Sequence, residues 1–468
     1  MTSGGGELCD LTLQALSAGL AAGRFTPVDV TEAFLARIAA LEPRLNAFVA
    51  VHGEQARLAA EAAHMAIRSG HGLGPLHGIP VALKDLVDMA GHVTTAGSAF
   101  WRDRPAATQT ATLARRMIGV GMIVLGKTHT VEFAYGAWGT NQHMGTPRNP
   151  WDTGTARTPG GSSSGSAVAV AARMAPAAIG TDTGGSVRIP ASWCGLTGLK
   201  TTIGRISTHG VVPLSPTLDT PGPIARCVED CALLLELLQG PDPLDPLTLT
   251  LPPSVPLANL RRGVTGLKLA ALPDTERAHV DAQVLAAYDA SLALLEKLGA
   301  RIETLPPGRS LSEAGDLLGK ILSAESYAFH AGFIDRDDLP LDQAVRARIR
   351  AGAGLTARAY LDVLEDRKKA KAGFAARMDG FDAVLTVSTL TAAIPLSAVD
   401  QTRTPAVSTR WVNYLDLCAL SLPNGMTAEK LPTSLQIVCR GGDEALALQI
   451  GWALEQATGW HKMKPALD

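Results

Sequence analysis

The sequence has little charge, few aromatic residues and no long apolar run. Only 18% of its 468 residues are Asp, Glu, Lys or Arg, 46% are apolar, 4% are aromatic, and the formal net charge is −2. An apolar composition of this kind excludes a disordered chain. The lack of a basic excess argues against a nucleic-acid partner, and no uncharged apolar run reaches the length of a membrane span. We therefore expect a globular protein with a large buried core.

Cysteine is also scarce, and its spacing is uninformative. The six cysteines are scattered and none forms a C-x-x-C pair, which argues against a disulfide framework and a zinc site. The first ten residues, MTSGGGELCD, lack the basic segment followed by an apolar segment that marks a signal peptide. These features favour a cytoplasmic protein with reduced thiols that requires no metal and no cofactor.

Segments typical of strands alternate with segments typical of helices, which predicts an α/β fold. Residues 1–65 read as N-terminal helices, and residues 66–238 contain the motifs described below. A proline-rich stretch at 239–258 reads as a linker, and residues 310–380 read as a helical, cap-like region. With the remainder completing the core, we expect one domain over residues 1–468.

Two short motifs match the residue patterns of known catalytic or phosphate-binding sites, but the residues within or before them do not suit those sites. The stretch GMIVLGKT at 121–128 matches the P-loop string, but its apolar interior predicts a buried strand instead of a phosphate loop. The stretch GSSSG at 161–165 matches G-x-S-x-G, yet polar, turn-forming residues precede it where a nucleophile elbow needs an apolar strand. No serine is followed three residues later by lysine, which excludes the S-x-x-K class.

A second glycine–serine site, DTGGSVR at 182–188, has features of an oxyanion hole with a nucleophile. Consecutive glycines leave backbone N–H groups free to point at one spot, and Ser186 follows them directly. Asp182 and Arg188 flank this serine, and we expect them to form an ion pair that fixes the loop, because each alone would be costly to bury.

A nucleophilic serine needs a base, and no histidine is marked for that role. Lys84 follows the apolar residues Val81 to Leu83, and burial lowers the pKa of a lysine from about 10.4 towards neutrality. The alternatives are a lysine that reaches the surface from the end of a strand, or one paired with Asp85. The residue pattern alone leaves these three roles open.

Together these segments resemble the amidase signature family. The resemblance is carried by GGSSSGSAVAVAA, by GTDTGGSVRIPASWCGLTGLKTT, by the upstream GPLHGIPVALKD and by GKTHTVEFAYGAWGTNQHMGTPRNPWD. The stretches DTPGPIARCVEDCALLLELLQG and YLDLCALSLPNG also fit, so the resemblance covers most of the chain. It implies a mixed, largely central β-sheet sandwiched between helix layers, and a Ser-cisSer-Lys triad.

The resemblance also implies a role for individual residues. Ser186 matches the nucleophile, Ser162 the bridging serine that follows a cis peptide bond, and Lys84 the base. The remaining matches are the oxyanion-hole N–H groups of Thr183, Gly184, Gly185 and Ser186, the supporting residues Ser163, Asp182 and Arg188, and Tyr135 and Gly136, which we expect to line the substrate pocket. The chain departs from the family at Ser164, where glycine is common, and in the late stretch DAVLTVSTLT.

The implied function is hydrolysis of an amide-type C–N bond in a small, aryl or alkyl substrate through an acyl-enzyme. Esters and carbamates (urethanes) react through the same tetrahedral intermediates, so the expected substrates include them. Such an enzyme is expected to work as a monomer or homodimer. The alternative is the glutaminase subunit of a tRNA-dependent amidotransferase complex, although the segment VRARIRAGAGLTARAYL lacks the R-x-x-x-G-T pattern expected of that subunit.

Overall fold

A single mixed sheet of 11 strands, flanked by helices, organises the molecule. The computed structural model describes residues 5–467. The strands are β1 (Phe48–Val51), β2 (Pro80–Lys84), β3 (Ile123–Thr128), β4 (Ala177–Asp182), β5 (Thr197–Lys200), β6 (Thr220–Ala225), β7 (Lys268–Ala271), β8 (Arg301–Thr304), β9 (Ala383–Val387), β10 (Cys418–Met426) and β11 (Pro432–Cys439).

The helices precede, separate and follow these strands. They are α1 (Gly5–Asp10), α2 (Leu13–Ala21), α3 (Pro27–Leu45), α4 (Gly53–Arg68), α5 (Thr112–Gly119), α6 (Ser164–Ala171), α7 (Arg188–Trp193), α8 (Val228–Leu238), α9 (Pro256–Asn259), α10 (Asp274–Arg277), α11 (Ala282–Lys297), α12 (Leu311–Ile334), α13 (Gln343–Arg350), α14 (Ala357–Arg377), α15 (Val407–Tyr414) and α16 (Glu444–Thr458).

The strand order is β1-β3-β2-β4-β6-β5-β10-β11-β9-β7-β8. Strands β3, β2 and β4 run parallel to one another, as do β9, β7 and β8, and the other neighbours pair antiparallel. The predicted fold class, a mixed sheet between helices, is confirmed. Strands from both sides of the proline-rich stretch join this sheet.

Small residues let α6 pack tightly on the centre of the sheet. Every residue of α6 is buried, and the helix contacts β2, β3 and β4. At Gly165, an added Cβ would collide with the carbonyl oxygen of Ala47 and the backbone nitrogen of His129. The alanine- and glycine-rich sequence is therefore what allows the start of this helix to approach the neighbouring backbone so closely.

Several predicted boundaries shift. Strand β1 interrupts the N-terminal helical region. The apolar stretch IARCVEDCALLLELLQG has helical periodicity throughout, which predicts a helix, but α8 begins only at Val228 because Ile224 and Ala225 belong to β6. That helix is capped at Gln239, with Gly240 one residue beyond. The P-loop string forms β3, and residues 310–380 contain α12, α13 and α14. The single-domain division stays a prediction, and its residues 1–4 and 468 lie outside the described part.

Within residues 5–467, no helix combines the length and apolar character needed to cross a membrane. The six cysteines are buried and unpaired.

Candidate active site

Lys84 and Ser162 meet at the centre of the molecule although 78 positions separate them in the sequence. Lys84 is the last residue of β2, and Ser162 follows a cis peptide bond from Gly161, just before α6. The Nζ of Lys84 donates hydrogen bonds to Ser162 Oγ and to Thr181 Oγ1, both at 2.7 Å. The structure therefore joins the lysine-containing and glycine–serine segments that the sequence analysis singled out.

Burial determines the protonation of Lys84. The side chain is fully enclosed, and this loss of solvation lowers its pKa to about 7, while the carboxylates of Asp219 and Asp182 act in the opposite direction. Asp85 forms its ion pair with Lys127, whose Nζ lies 3.2 Å from Asp85 Oδ1. Lys84 can thus exist as a neutral amine near physiological pH, as a general base must.

Ser186 lies in the loop that follows β4, beside the cis peptide. The N–H of Ser163 donates to the carbonyl oxygen of Ser186 at 3.2 Å, which ties the two serine-containing loops together. Ser163 Oγ is held by the backbone of Thr181 on β4 at 3.3 Å. Ser186 lines a cavity of about 230 Å³ together with Thr183 and Gly184. It is therefore open to a small molecule in that cavity.

A buried ion pair between Asp182 and Arg188 supports the loop of Ser186. Arg188 Nη2 lies 2.9 Å from Asp182 Oδ1, and both side chains are fully buried. Arg188 also donates to the side chains of Asn413 and Gln436 at 2.6 and 2.7 Å. Burial opposes ionisation of Asp182, but the charge and hydrogen bonds of Arg188 prevail and hold its pKa below the usual range.

The predicted oxyanion donors are not equivalent. The N–H of Gly185 donates to Asp182 Oδ1 at 2.8 Å, so this group stabilises the loop and is not free to bind a substrate oxygen. Gly185 has φ of +131°, and an added Cβ would collide with Thr409 Oγ1. The donors left from the predicted set are Thr183, Gly184 and Ser186.

Asp219 links the loop of Ser186 to a neighbouring cavity wall. It accepts a hydrogen bond from Thr183 Oγ1 at 2.5 Å and from the N–H groups of Leu214 and Ser215 at 2.8 and 2.9 Å. Burial raises its pKa to about 6 against these hydrogen bonds. Leu214 lines the cavity, so this carboxylate positions two of the cavity's lining residues.

The expected pocket residues Tyr135 and Gly136 lie on the cavity wall. Other lining residues, which the sequence patterns did not indicate, come from distant parts of the chain, namely Arg348 on α13, Arg410 on α15 and residues 401–406. Thr181, the second partner of Lys84, was not predicted either. No local pattern marks these residues, because each reaches the site only through the tertiary fold.

Comparison with known proteins agrees with this arrangement. The family model "Amidase" matches residues 29–448. The A subunit of the glutamyl-tRNA(Gln) amidotransferase from Geobacter metallireducens is 35% identical, over 98% of this chain and 100% of that protein.

Two solved structures have the same fold. A peptide amidase from Stenotrophomonas maltophilia has a TM-score of 0.84 at 30% identity, covering 98% of each chain. A chain from a vestigial protein complex, described in connection with the evolutionary origins of an s-triazine catabolic enzyme, has a TM-score of 0.88 at 32% identity, covering 96% of this chain and 99% of that one. The protein therefore belongs to the amidase signature family, whose enzymes act on amide C–N bonds.

Proposed function

We propose that the protein hydrolyses an amide bond through an acyl-enzyme on Ser186, with Ser162 and Lys84 as its proton relay. The observation that supports this most directly is the 2.7 Å hydrogen bond from Lys84 Nζ to Ser162 Oγ in a buried site. A lysine with a pKa of about 7 can accept a proton at neutral pH. Ser186 lies on the wall of the cavity, and its carbonyl oxygen accepts a hydrogen bond from the N–H of Ser163, the residue after Ser162.

In the proposed first step, neutral Lys84 takes a proton from Ser162, which takes the proton of Ser186. The Oγ of Ser186 then bonds to the substrate carbonyl carbon. The N–H groups of Thr183, Gly184 and Ser186 stabilise the oxyanion that develops. The C–N bond breaks as the proton returns through Ser162 to the leaving nitrogen.

In the second step, water gives a proton to Ser162 as Ser162 passes its own proton to Lys84, and the water oxygen bonds to the carbonyl carbon of the ester on Ser186. The ester C–O bond breaks as a proton returns from Lys84 through Ser162 to Ser186 Oγ. The acid product leaves, and Ser186 regains its proton. Lys84 ends each turnover in its neutral form. Esters and carbamates pass through the same tetrahedral intermediates, so the proposal covers them as well.

This function has two specific forms. Full-length similarity at 34–36% identity to the A subunits of curated amidotransferases supports the glutaminase form, in which the chain releases ammonia from glutamine inside a complex. The similarity to a peptide amidase supports a stand-alone hydrolase. Of the two, the curated relatives favour the glutaminase form.

One experiment separates these forms. The purified chain is given a simple aryl amide and, separately, L-glutamine, and released amine or ammonia is measured. A stand-alone hydrolase cleaves the aryl amide without any partner. A glutaminase subunit shows little activity alone and gains glutamine hydrolysis when the partner subunits of an amidotransferase are added. No cleavage under either condition, and no labelling of Ser186 by a phosphonate, would refute the common proposal.

A further inference from the structure

The cavity beside Ser186 is lined by positive charge without a matching negative charge. Three arginines line it, Arg348, Arg403 and Arg410, and among its lining residues from the described part of the chain there is no Asp or Glu. Arg188, by contrast, has the carboxylate of Asp182 as its partner. The cavity is therefore an electropositive site that faces the reacting serine.

Arg410 is the most unusual of the three. It is only partly exposed, and its guanidinium makes no hydrogen bond or ion pair with any residue among 5–467. Burial lowers its pKa and the neighbouring Arg348 adds to this effect, while Tyr135 and the exposed carboxylate of Asp316 act in the opposite direction. A guanidinium carries five N–H donors and stays charged, so leaving it partly buried without acceptors is costly.

The fold holds Arg410 in a fixed place relative to Ser186. Thr409, the preceding residue on α15, donates from Oγ1 to the carbonyl oxygen of Gly184 at 2.7 Å. Three residues after Arg410, the side-chain amide of Asn413 donates to Asp182 Oδ1 at 3.0 Å. The Cγ of Arg410 lies only 3.4 Å from the position that a Cβ of Gly184 would occupy. The helix that carries Arg410 is thus bound to the nucleophile loop on both sides of the arginine.

Arg348 contributes a second positive charge to the cavity wall. Its guanidinium donates to the carbonyl oxygens of Tyr135 and Gln401 at 2.9 and 2.8 Å and to the Gln401 side chain at 2.8 Å. All of these acceptors are neutral, and the carboxylate that acts on Arg348 from a distance, Asp342, does not line the cavity. Arg348 fixes Tyr135 and Gln401 and adds to the positive field at Arg410.

We infer that the protein acts on amides whose acyl part ends in a carboxylate, and that Arg410 binds this carboxylate. The inference rests on the stand-alone form of the proposed function and names its substrate class, so it departs from the glutaminase form that the curated relatives favour. An anion would supply the acceptors that Arg410 lacks, in the planar two-point geometry that guanidinium and carboxylate share. The cavity, at about 230 Å³, is smaller than the pockets of about 300–1,000 Å³ that hold drug-sized ligands, which favours a small molecule.

The same wall disfavours a free amino acid. The ammonium group of L-glutamine would need a carboxylate or several acceptors, and the cavity's described lining contains no Asp or Glu. It would also stand close to the three arginines of the cavity wall, and like charges at short range repel. The substrate class is therefore the monoamide of a small dicarboxylic acid, or an amide of equivalent charge, without an ammonium group.

The test compares monoamides of three- to six-carbon dicarboxylic acids with neutral amides of the same chain length and with L-glutamine, by ammonia release. The unaltered protein is expected to prefer the acid amides. R410M, which keeps the length of the side chain without its charge, should raise KM for them by roughly 10- to 100-fold, as expected for loss of a charge-assisted hydrogen bond, with a smaller change in kcat. Neutral amides should change by less than about 3-fold in R410M. R410K should retain part of the preference.

Arg358→Met is the matched control, because this arginine is exposed on α14, where it pairs with Asp362. It should leave both substrate series unchanged. Binding of the acid amide to Ser186→Ala protein, measured by calorimetry, should be lost when R410M is added to it. Since the preference of the unaltered protein is itself informative, the test does not depend on R410M folding.

Equal cleavage of neutral and acid amides by the unaltered protein would overturn the inference while leaving Ser186-dependent hydrolysis in place. Better cleavage of L-glutamine than of any acid amide would also overturn it. Failure of the proposed function is distinguishable, since it would show as no turnover of any amide and no labelling of Ser186.

Discussion

The carboxylate of Asp85 pairs with Lys127, while the adjacent Lys84 donates to Ser162 and Thr181. Successive side chains of a strand point to opposite faces of the sheet. Lys127 is in register with Leu83 on the neighbouring parallel strand, so it lies on the face that Asp85 shares and Lys84 does not. An ion pair between Lys84 and Asp85 would have kept the lysine charged, and this separation leaves it able to act as a base.

Activity should therefore depend on neutral Lys84. Below its pKa of about 7 the amine is protonated and cannot accept a proton. The rate should fall about tenfold for each pH unit below that point and stay level above it. Lys84→Arg should be as inactive as Lys84→Ala, because a guanidinium stays charged. A pH–rate profile with both variants checks this, and substantial activity in the arginine variant would make Lys84 a structural residue.

Ser186→Ala should abolish turnover and also covalent labelling by a serine-directed phosphonate. The protein should stay folded, because the lost hydroxyl lies on the wall of a cavity and not in the packed core. Mass spectrometry of the labelled, unaltered protein should place the adduct on Ser186. An adduct on Ser162 or Ser163 would instead make the GSSSG stretch the nucleophile site.

Asp182→Asn should destabilise the protein and disorder the nucleophile loop. It would leave Arg188 buried without its carboxylate, and breaking a buried ion pair costs about 3–5 kcal/mol. Because its pKa is depressed in the folded state, Asp182 stabilises the protein above the unfolded pKa of about 3.9, and this contribution is lost as the pH falls towards the folded value.

Denaturant unfolding of Asp182→Asn against Asp362→Asn measures the effect. Asp362 forms an exposed pair with Arg358 on one helix, so its loss should cost no more than about 0.5 kcal/mol. Equal stability of the two variants would mean that the buried pair does not support the loop.

Gly185→Ala should abolish activity and phosphonate labelling. The backbone there has φ of +131°, and the new methyl group would collide with Thr409 Oγ1. Gly319→Ala on α12 is the matched control, since no other atom lies within 4 Å of an added Cβ there. That variant should keep full activity and gain about 0.5–1 kcal/mol of stability. Full activity in Gly185→Ala would show that the loop tolerates a different backbone path.

Chelators should leave the rate unchanged. The proposed relay uses one lysine and two serines, and among residues 5–467 no cluster of three His, Cys, Asp or Glu side chains could hold a metal ion. The measurement is the rate before and after dialysis against EDTA. A rate lost on dialysis and restored by zinc would contradict the metal-free mechanism.

Local sequence features predicted an α/β fold and marked the segments around Lys84, Ser162 and Ser186, while the resemblance to the amidase signature family supplied the mixed sheet and the role expected of each residue. Small residues in α6, consecutive glycines before Ser186 and a lysine at the end of an apolar strand each restrict the backbone or the solvation of their own segment. Helix and strand ends were less accurate, as at α8, where Ile224 and Ala225 pair in β6.

The packing of whole elements sets which groups meet. Strand order brings Lys84 to Ser162 and Lys127 to Asp85, and no neighbour in sequence signals either contact. In the folded loop the N–H of Gly185 donates a hydrogen bond to Asp182. The glycine-rich sequence does not show which of its N–H groups are used in this way. The arginines of the cavity come from α13, α15 and the loop before α15, far along the chain, because contacts between distant segments depend on how helices and strands pack and not on the residues beside them.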